Sequence, residues 1–288
     1  VPDPRILVTG GTGLIGSATV SLLESTGHEV RVFDLPSDIR DQGAVRTAID
    51  GCDAVVHLAG IAGPELAPPV RGYDINARGT FTVFEAAVAA GIPHVVYASS
   101  INASGLPLGP GPQLPSRFPY DEDEPTRIGD WYSLSKVANE DAARMFETRG
   151  GTRFTGIRYP LVRDVTANGG DTFAAHLRGV LRDAPLRAAA EGWSYLDVRD
   201  AARAVSAALS SDTPAAPGIL VAAPRTFLAF DTREAIAKFT STVPVSVVDR
   251  NVGLDLGRSQ RLLAFEAAIL LDDVAPHALI THDEWLAL

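Results

Sequence analysis

Tyr132 and Lys136 stand four residues apart in "DWYSLSK", and only two lysines occur among the 25 lysine and arginine residues of the chain. Arginine serves wherever a positive charge is merely needed, so a lysine after a tyrosine asks for a specific reason. Residues four apart lie on one face of a helix, which brings an ammonium close to a phenol or to a ribose shared with it. A phenol with an ordinary pKa of about 10 needs roughly 4 kcal/mol of preferential phenolate stabilisation to act as a base near pH 7. A compact, rotatable ammonium fits a crevice that a guanidinium fork would not enter. Ser99 and Ser100 end the preceding apolar run "VVYASS", where a hydroxyl can hold a substrate oxygen beside that phenol.

At the other end of the same chemistry, "TGGTGLIG" spaces Gly10, Gly13 and Gly16 as G-x-x-G-x-x-G. Such glycines permit a tight turn, let backbone approach a pyrophosphate and let a helix pack closely on a sheet. Asp34 follows Gly10 by 24 positions, where a carboxylate accepts ribose hydroxyls. The same charge repels the extra phosphate of NADP, so NAD is the expected cofactor. Asn76, in "YDINARGT", either steadies backbone or a proton-relay water at the site or makes a buried structural hydrogen bond.

These groups need a scaffold, and the first half of the chain carries the pattern of one. Short β-branched runs alternate with longer alanine-rich ones, from "RILVTG" and "LIGSATVSLLEST" through "HVVYASS" and "YSLSKVANEDAARMFETRG" to "TRFTGIRY". Apolar strands separated by amphipathic helices predict an α/β fold, a doubly wound parallel (Rossmann) sheet covered by helices on both faces. The expected dinucleotide-binding domain is 1–160, completed by 188–222, and residues 161–187 and 223–288 form a small substrate-binding cap.

Two segments break the rhythm. Residues 101–130 carry prolines at 107, 110, 112, 115, 119 and 125, which excludes helix and central strand. A loop of this length leaving the carboxyl end of a strand is expected to form part of a substrate wall. After Asp34, only Leu35, Pro36 and Ser37 precede Asp38, too few for the helix and third strand that a doubly wound half normally has there. Either the chain lacks that unit or the sequence joins residues across a gap.

Composition narrows the class. The 288 residues are 46% hydrophobic and 21% charged, as in ordinary globular enzymes. A net charge of -10 opposes nucleic-acid binding. The single cysteine, Cys52, excludes an intramolecular disulfide and a multi-cysteine zinc site, and the scattered histidines suggest no metal. His57, in "HLAG", reads as structural because the motif gives it no partner. No signal peptide and no apolar run of about 18 residues is found, so the expected protein is soluble and cytoplasmic, without a membrane partner.

Together, "TGGTGLIG", Asp34, "SDIRD", "DAVVHLAG", "YDINARGTFTVFEAA", "VVYASS", "YSLSK", "GIRYP" and "YLDVRDAARAV" resemble the extended short-chain dehydrogenases/reductases, the NAD-dependent epimerase/dehydratase family, along nearly the whole chain. The resemblance implies that Tyr132 is the acid/base, that Lys136 lowers its pKa and binds the nicotinamide ribose, and that Ser100, rather than Ser99, orients the substrate oxygen. It further implies cofactor contacts at Gly10, Gly13, Leu14, Ile15, Gly16, Asp34, Leu58, Ala59, Gly60, Asn76, Ala98, Tyr159 and Pro160, with Asp38 and Ile39 at the adenine. Family members often dimerise through two helices, here "TFTVFEAAVAAG" and "KVANEDAARMF", which implies a homodimer.

Many nucleotide-sugar members read Arg-x-x-Asn-x-Tyr-Gly after the sixth strand. This chain has Arg158, Tyr159, Pro160 and Leu161, and "SSINASG" lacks the Asp-Glu pair of the dehydratases. The expected activity is therefore NAD-dependent oxidation or reduction of a small sugar, sugar acid or similar polyhydroxy compound. A nucleotide-sugar 4-epimerase is the alternative, and a dinucleotide-sensing protein without turnover stands behind both.

Overall fold

In β1 (Arg5–Thr9), Ile6 and Val8 point to one face and Leu7 to the other, and all three are at most 2% exposed. A strand apolar on both sides must be covered on both sides, which dictates a layered fold. The computed structural model describes residues 4–108, 111, 113–212 and 215–287. After β1 come α1 (Leu14–Ser25), β2 (Glu29–Phe33), α2 (Gln42–Ile49), β3 (Ala54–His57), α3 (Pro69–Tyr73) and α4 (Gly79–Ala89). Next are β4 (His94–Ser100), α5 (Trp131–Glu147), β5 (Arg153–Tyr159), β6 (Leu161–Arg163), α6 (Asp171–Asp183) and α7 (Pro185–Ala190). They are followed by β7 (Tyr195–Asp197), α8 (Val198–Ser210) and β8 (Ala216–Leu220).

Six strands form one parallel sheet in the order β2-β1-β3-β4-β5-β8. This is the doubly wound α/β architecture that the alternating pattern predicts. One face, with Ile6, Val8, Val56 and Ile157, packs against Leu23 of α1 and Val205 of α8. The opposite face, with Leu7, Val55, Val95 and Phe154, packs against Val45, Phe84 and Phe146 of α2, α4 and α5. The chain goes outward from β1 to β2 and returns to β3 on the other side of β1. The carboxyl ends of β1 and β3 thus flank the crevice where such sheets bind ligands. No helix among the described residues is long and apolar enough to cross a membrane.

The short segment after Asp34 is a turn leading straight into α2, where the Asp41 side chain caps the amides of Gly43 and Ala44. No strand lies outside β2 among the described residues. Among the described residues this turn stands in place of that helix and strand, and Ile39 from it is 7% exposed in the core beside Val45 and Phe84.

Residues 101–130 are no surface ornament. They begin as a 3-10 turn, Ile101–Ser104; farther on, Phe118 enters a second core and Tyr120 packs with Leu220 and Leu254, both are 1% exposed, and they bridge to Val245 and Leu254 respectively. Pro110 and Pro112 lie outside the described residues. That second core joins Phe118, Phe173, Leu177, Phe227 and Trp285 with Ala188, Ala189, Trp193 and Tyr195. Of residues 188–195, expected with the sheet domain, Ala188, Ala189, Trp193 and Tyr195 therefore pack with the cap, whereas Ala190 packs with Leu220 and Ala222, and the chain rejoins the sheet through α8 and β8. The alanine-rich α7 has the composition of a sheet-covering helix, which is why its sequence points the wrong way.

Candidate active site

The glycine loop closes around contacts that no side chain permits. Gly10 has φ +71°, and a Cβ there would stand 2.6 Å from the Ala59 nitrogen; a Cβ on Gly16 would stand 1.9 Å from the Gly10 oxygen. The loop thereby holds the amino end of α1 against the carboxyl ends of β1 and β3. Gly13 caps α1 without a side-chain bond, so the positive end of a 12-residue helix faces the cleft. The tight turn and the exposed amide end of α1 beside the cleft fit a dinucleotide pyrophosphate.

Asp34 is tied to the same loop. Its carboxylate accepts the Thr12 amide at 2.8 Å, the Thr12 hydroxyl at 2.7 Å and the Leu35 amide at 2.8 Å. Partial burial works against its charge, but these hydrogen bonds prevail and hold its pKa below the ordinary aspartate value. Thr12 went unnoticed among the glycines, although a threonine in a turn is a signal for such a bond.

Across the crevice, Asp130 caps α5 by accepting the Ser133 amide, which starts the helix one residue before Tyr132. Tyr132 is 6%, Lys136 8% and Ser100 4% exposed. The Lys136 ammonium donates to the Ala98 carbonyl at 3.0 Å and lies 5.5 Å from the centre of the Tyr132 ring. Burial lowers the Lys136 pKa to about 8 against the opposing pull of Glu140. Burial also pushes the Tyr132 phenol up to about 12, a hydrogen bond with Ser100 acting the other way. Desolvation is the largest influence on the phenol.

Ser99 and Ser100 part company. The Ser99 hydroxyl donates to Glu140 at 2.6 Å, and Glu140 receives both Arg158 Nε at 2.8 Å and Nη2 at 2.7 Å. Ser100 receives the Asn102 amide and side-chain nitrogen, each at 3.2 Å. Sequence reasoning missed both Glu140 and Asn102. Glu140 lies one helical turn beyond Lys136, a spacing that could have drawn attention to it.

A cleft of about 400 Å³ joins the two ends. Its walls include Gly10, Gly13, Leu14, Ile15, Gly16, Leu58, Gly60, Ala98, Ser100, Tyr132, Lys136, Tyr159 and Pro160. Ala59, Asp34, Asp38, Ile39 and Asn76 lie outside those walls. Asp38 pairs with Arg40. Asn76 clamps the backbone of Ile61, accepting its amide at 2.7 Å and donating to its carbonyl at 3.0 Å. It therefore steadies the turn after β3 from behind. His57 lies between the Thr9 and Thr80 hydroxyls, and burial lowers its pKa to about 3, which makes it a neutral core histidine.

The far end of the cleft comes from the cap. Arg163, His176, Arg187, Glu191 and Phe227 line it. Burial and the neighbouring Arg163 and Arg187 lower the His176 pKa, so these three bases are close together. Arg187 pairs with Glu191 at 2.9 Å, whereas Arg163 has no ion pair among the described residues and donates to the Val162 carbonyl. No local motif announces His176 or Arg187, because the folding of the cap alone brings them to the site.

Residues 6–223 match the model of the NAD dependent epimerase/dehydratase family. An L-arabinose 1-dehydrogenase (NAD(P)(+)) of Haloferax volcanii is 32% identical over 54% of this chain and 65% of its own. A UDP-glucose 4-epimerase of Neisseria meningitidis serogroup B is 34% identical over 42% of this chain and 41% of its own. The matches thus span less than two thirds of those relatives. In fold, a short-chain dehydrogenase/reductase superfamily protein of Agrobacterium tumefaciens, solved with bound NAD, superposes with a TM-score of 0.71 at 23% identity over 96% of both chains. With the family model covering the sheet domain from its first strand to its last, this chain belongs to the NAD-dependent epimerase/dehydratase family.

Proposed function

We propose that this chain is an NAD-dependent oxidoreductase acting on a hydroxyl or carbonyl of a sugar, sugar acid or similar small polyhydroxy compound. The observation that carries this reading is the convergence of the glycine loop and of Ser100, Tyr132 and Lys136 on one cleft. Gly10, Gly13 and the first turn of α1 would hold the pyrophosphate, Asp34 the adenosine ribose and Lys136 the nicotinamide ribose. When bound, NAD would supply a positively charged ring to which the substrate carbon gives up a hydride, one proton with two electrons. In oxidation, the Tyr132 oxygen takes the proton of the substrate hydroxyl as the carbonyl forms, and in reduction it returns one. Ser100 holds the reacting oxygen in line with that proton. The cap bases favour a substrate with an anionic group, and Arg163 is the cation free to meet it.

The similarity to a UDP-glucose 4-epimerase supports a second reading, in which the same triad serves a redox-neutral cycle. Leu161 stands where nucleotide-sugar members carry an asparagine, which leaves a diphosphate poorly paired on desolvation. One experiment separates the two. L-arabinose, D-glucuronate and UDP-glucose are offered with NAD and, in parallel, with NADP. NADH formation with a free sugar or sugar acid is expected, at an affinity for NAD about tenfold or more above that for NADP. Epimerised UDP-glucose without net NADH would replace the dehydrogenase by the epimerase, and equal affinity for both cofactors would remove Asp34 from cofactor choice.

The chain is also read as a homodimer through α4 and α5, on whose outer faces Phe81 is 44% and Leu134 46% exposed. Exposed large apolar side chains on adjacent helices favour burial against a second copy. Light scattering at micromolar concentration is expected to give twice the chain mass, and Phe81→Glu the single mass. A wild-type monomer would rule the pairing out.

A further inference from the structure

Ser100 serves as more than a hydroxyl in a cleft. It caps the 3-10 turn Ile101–Ser104, so its oxygen accepts the Asn102 amide at 3.2 Å, and the Asn102 side-chain nitrogen donates to that oxygen at 3.2 Å as well. A serine oxygen has two lone pairs and one proton. With both lone pairs engaged, the proton is the only polar valence left to offer. Asn102 is itself 7% exposed, lines the cleft, and leaves its side-chain oxygen buried with no hydrogen-bond partner among the described residues. An orphan of this kind costs stability, about 1–3 kcal/mol for a buried polar group. A side chain kept at such a cost beside a reacting group calls for a purpose in the reaction.

We propose that Asn102 is a positioning residue that fixes Ser100 as a hydrogen-bond donor, aiming its proton at the oxygen that Tyr132 protonates and deprotonates. The inference rests on the reading of Ser100 and Tyr132 given above. Donation from Ser100 stabilises negative charge on the one oxygen its proton faces, the substrate oxygen during turnover, whereas a serine free to rotate would also present a lone pair there and repel it. The pull of Ser100 on the phenol pKa has the same sign. The buried oxygen of Asn102 is the cost of placing its nitrogen against Ser100.

The test uses the whole chain with NAD and whichever of L-arabinose and D-glucuronate the wild type oxidises faster. Asn102→Ala is expected to lower kcat about tenfold with KM within about twofold, and to melt no lower than wild type because the orphan oxygen is gone. Asn102→Asp has nearly the same shape but only acceptors, so it draws the Ser100 proton to itself. It is expected to lose more kcat than the alanine variant. Ser100→Ala is expected to lose about a hundredfold, and adding Asn102→Ala to it is expected to change nothing further, since one residue acts through the other. Wild-type kcat in Asn102→Ala, or a full additional loss in the double variant, overturns the assignment of Asn102 alone. An active Ser100→Ala, or a wild type inert toward both sugars, overturns the functional reading and this inference with it.

Discussion

Tyr132→Phe is expected to lower kcat by about a thousandfold while leaving NAD affinity within about twofold of wild type. The substitution removes one oxygen from a ring that is 6% exposed and already packed edge-on against Trp131, so the fold should hardly register it. Chemistry should register it fully, because the phenol is the proton carrier in the proposed reaction. Burial sets the phenol near 12. To act as a base near pH 7 it must gain about five pKa units, or roughly 7 kcal/mol, from charges facing it during turnover. Lys136 is the resident candidate, with its ammonium 5.5 Å from the ring centre. Lys136→Arg therefore keeps a charge but is expected to fail as well, since its fork cannot both take the Ala98 carbonyl and share a ribose in the same crevice. Calorimetry of NAD binding and steady-state kinetics decide both points. A phenylalanine variant with a tenth of wild-type kcat would show that a different group, or water, carries the proton.

The layered sheet was legible because it is written in local chemistry. Ile6, Leu7 and Val8 announce a strand buried on both faces, and the glycines after it can serve only a turn that excludes Cβ atoms. Tyr132 and Lys136 were legible because one helix holds both. What stayed hidden depends on partners far apart in the chain. Glu140 meets Arg158 across 18 positions and Ser99 across 41, and neither separation has a periodicity. The cap bases arrive from β6, α6 and α7, and Trp193 beside α7 was misplaced because alanine-rich sequence does not say which core it will join. The cap side of the site is therefore where sequence left most unsaid.

Glu140→Gln is expected to lower stability by about 3–5 kcal/mol, roughly 10 °C in Tm, and to move the alkaline limb of activity to lower pH. The pair is nearly dry, with side chains 2% exposed for Glu140 and 9% for Arg158, and a separation of 2.7 Å. Glutamine keeps the shape but leaves the Arg158 cation buried beside a neutral amide. It also leaves the Ser99 hydroxyl without its charged acceptor. The effect on pH follows from a second link. Glu140 is the charge that raises the Lys136 pKa against burial, and the balance stands at about 8. Without Glu140 the lysine pKa falls further, so the ammonium is lost at a lower pH. Activity that needs the ammonium must then decline from a lower pH upward. A purely structural pair would lower Tm and leave that limb in place, which a pH profile of kcat/KM distinguishes. Replacing both partners, as in Glu140→Met with Arg158→Met, removes the stranded charge and should recover part of the lost stability. It should not recover the pH limb, because Lys136 still lacks its counter-charge. Recovery of both together would mean that Arg158, rather than Glu140, governs the lysine.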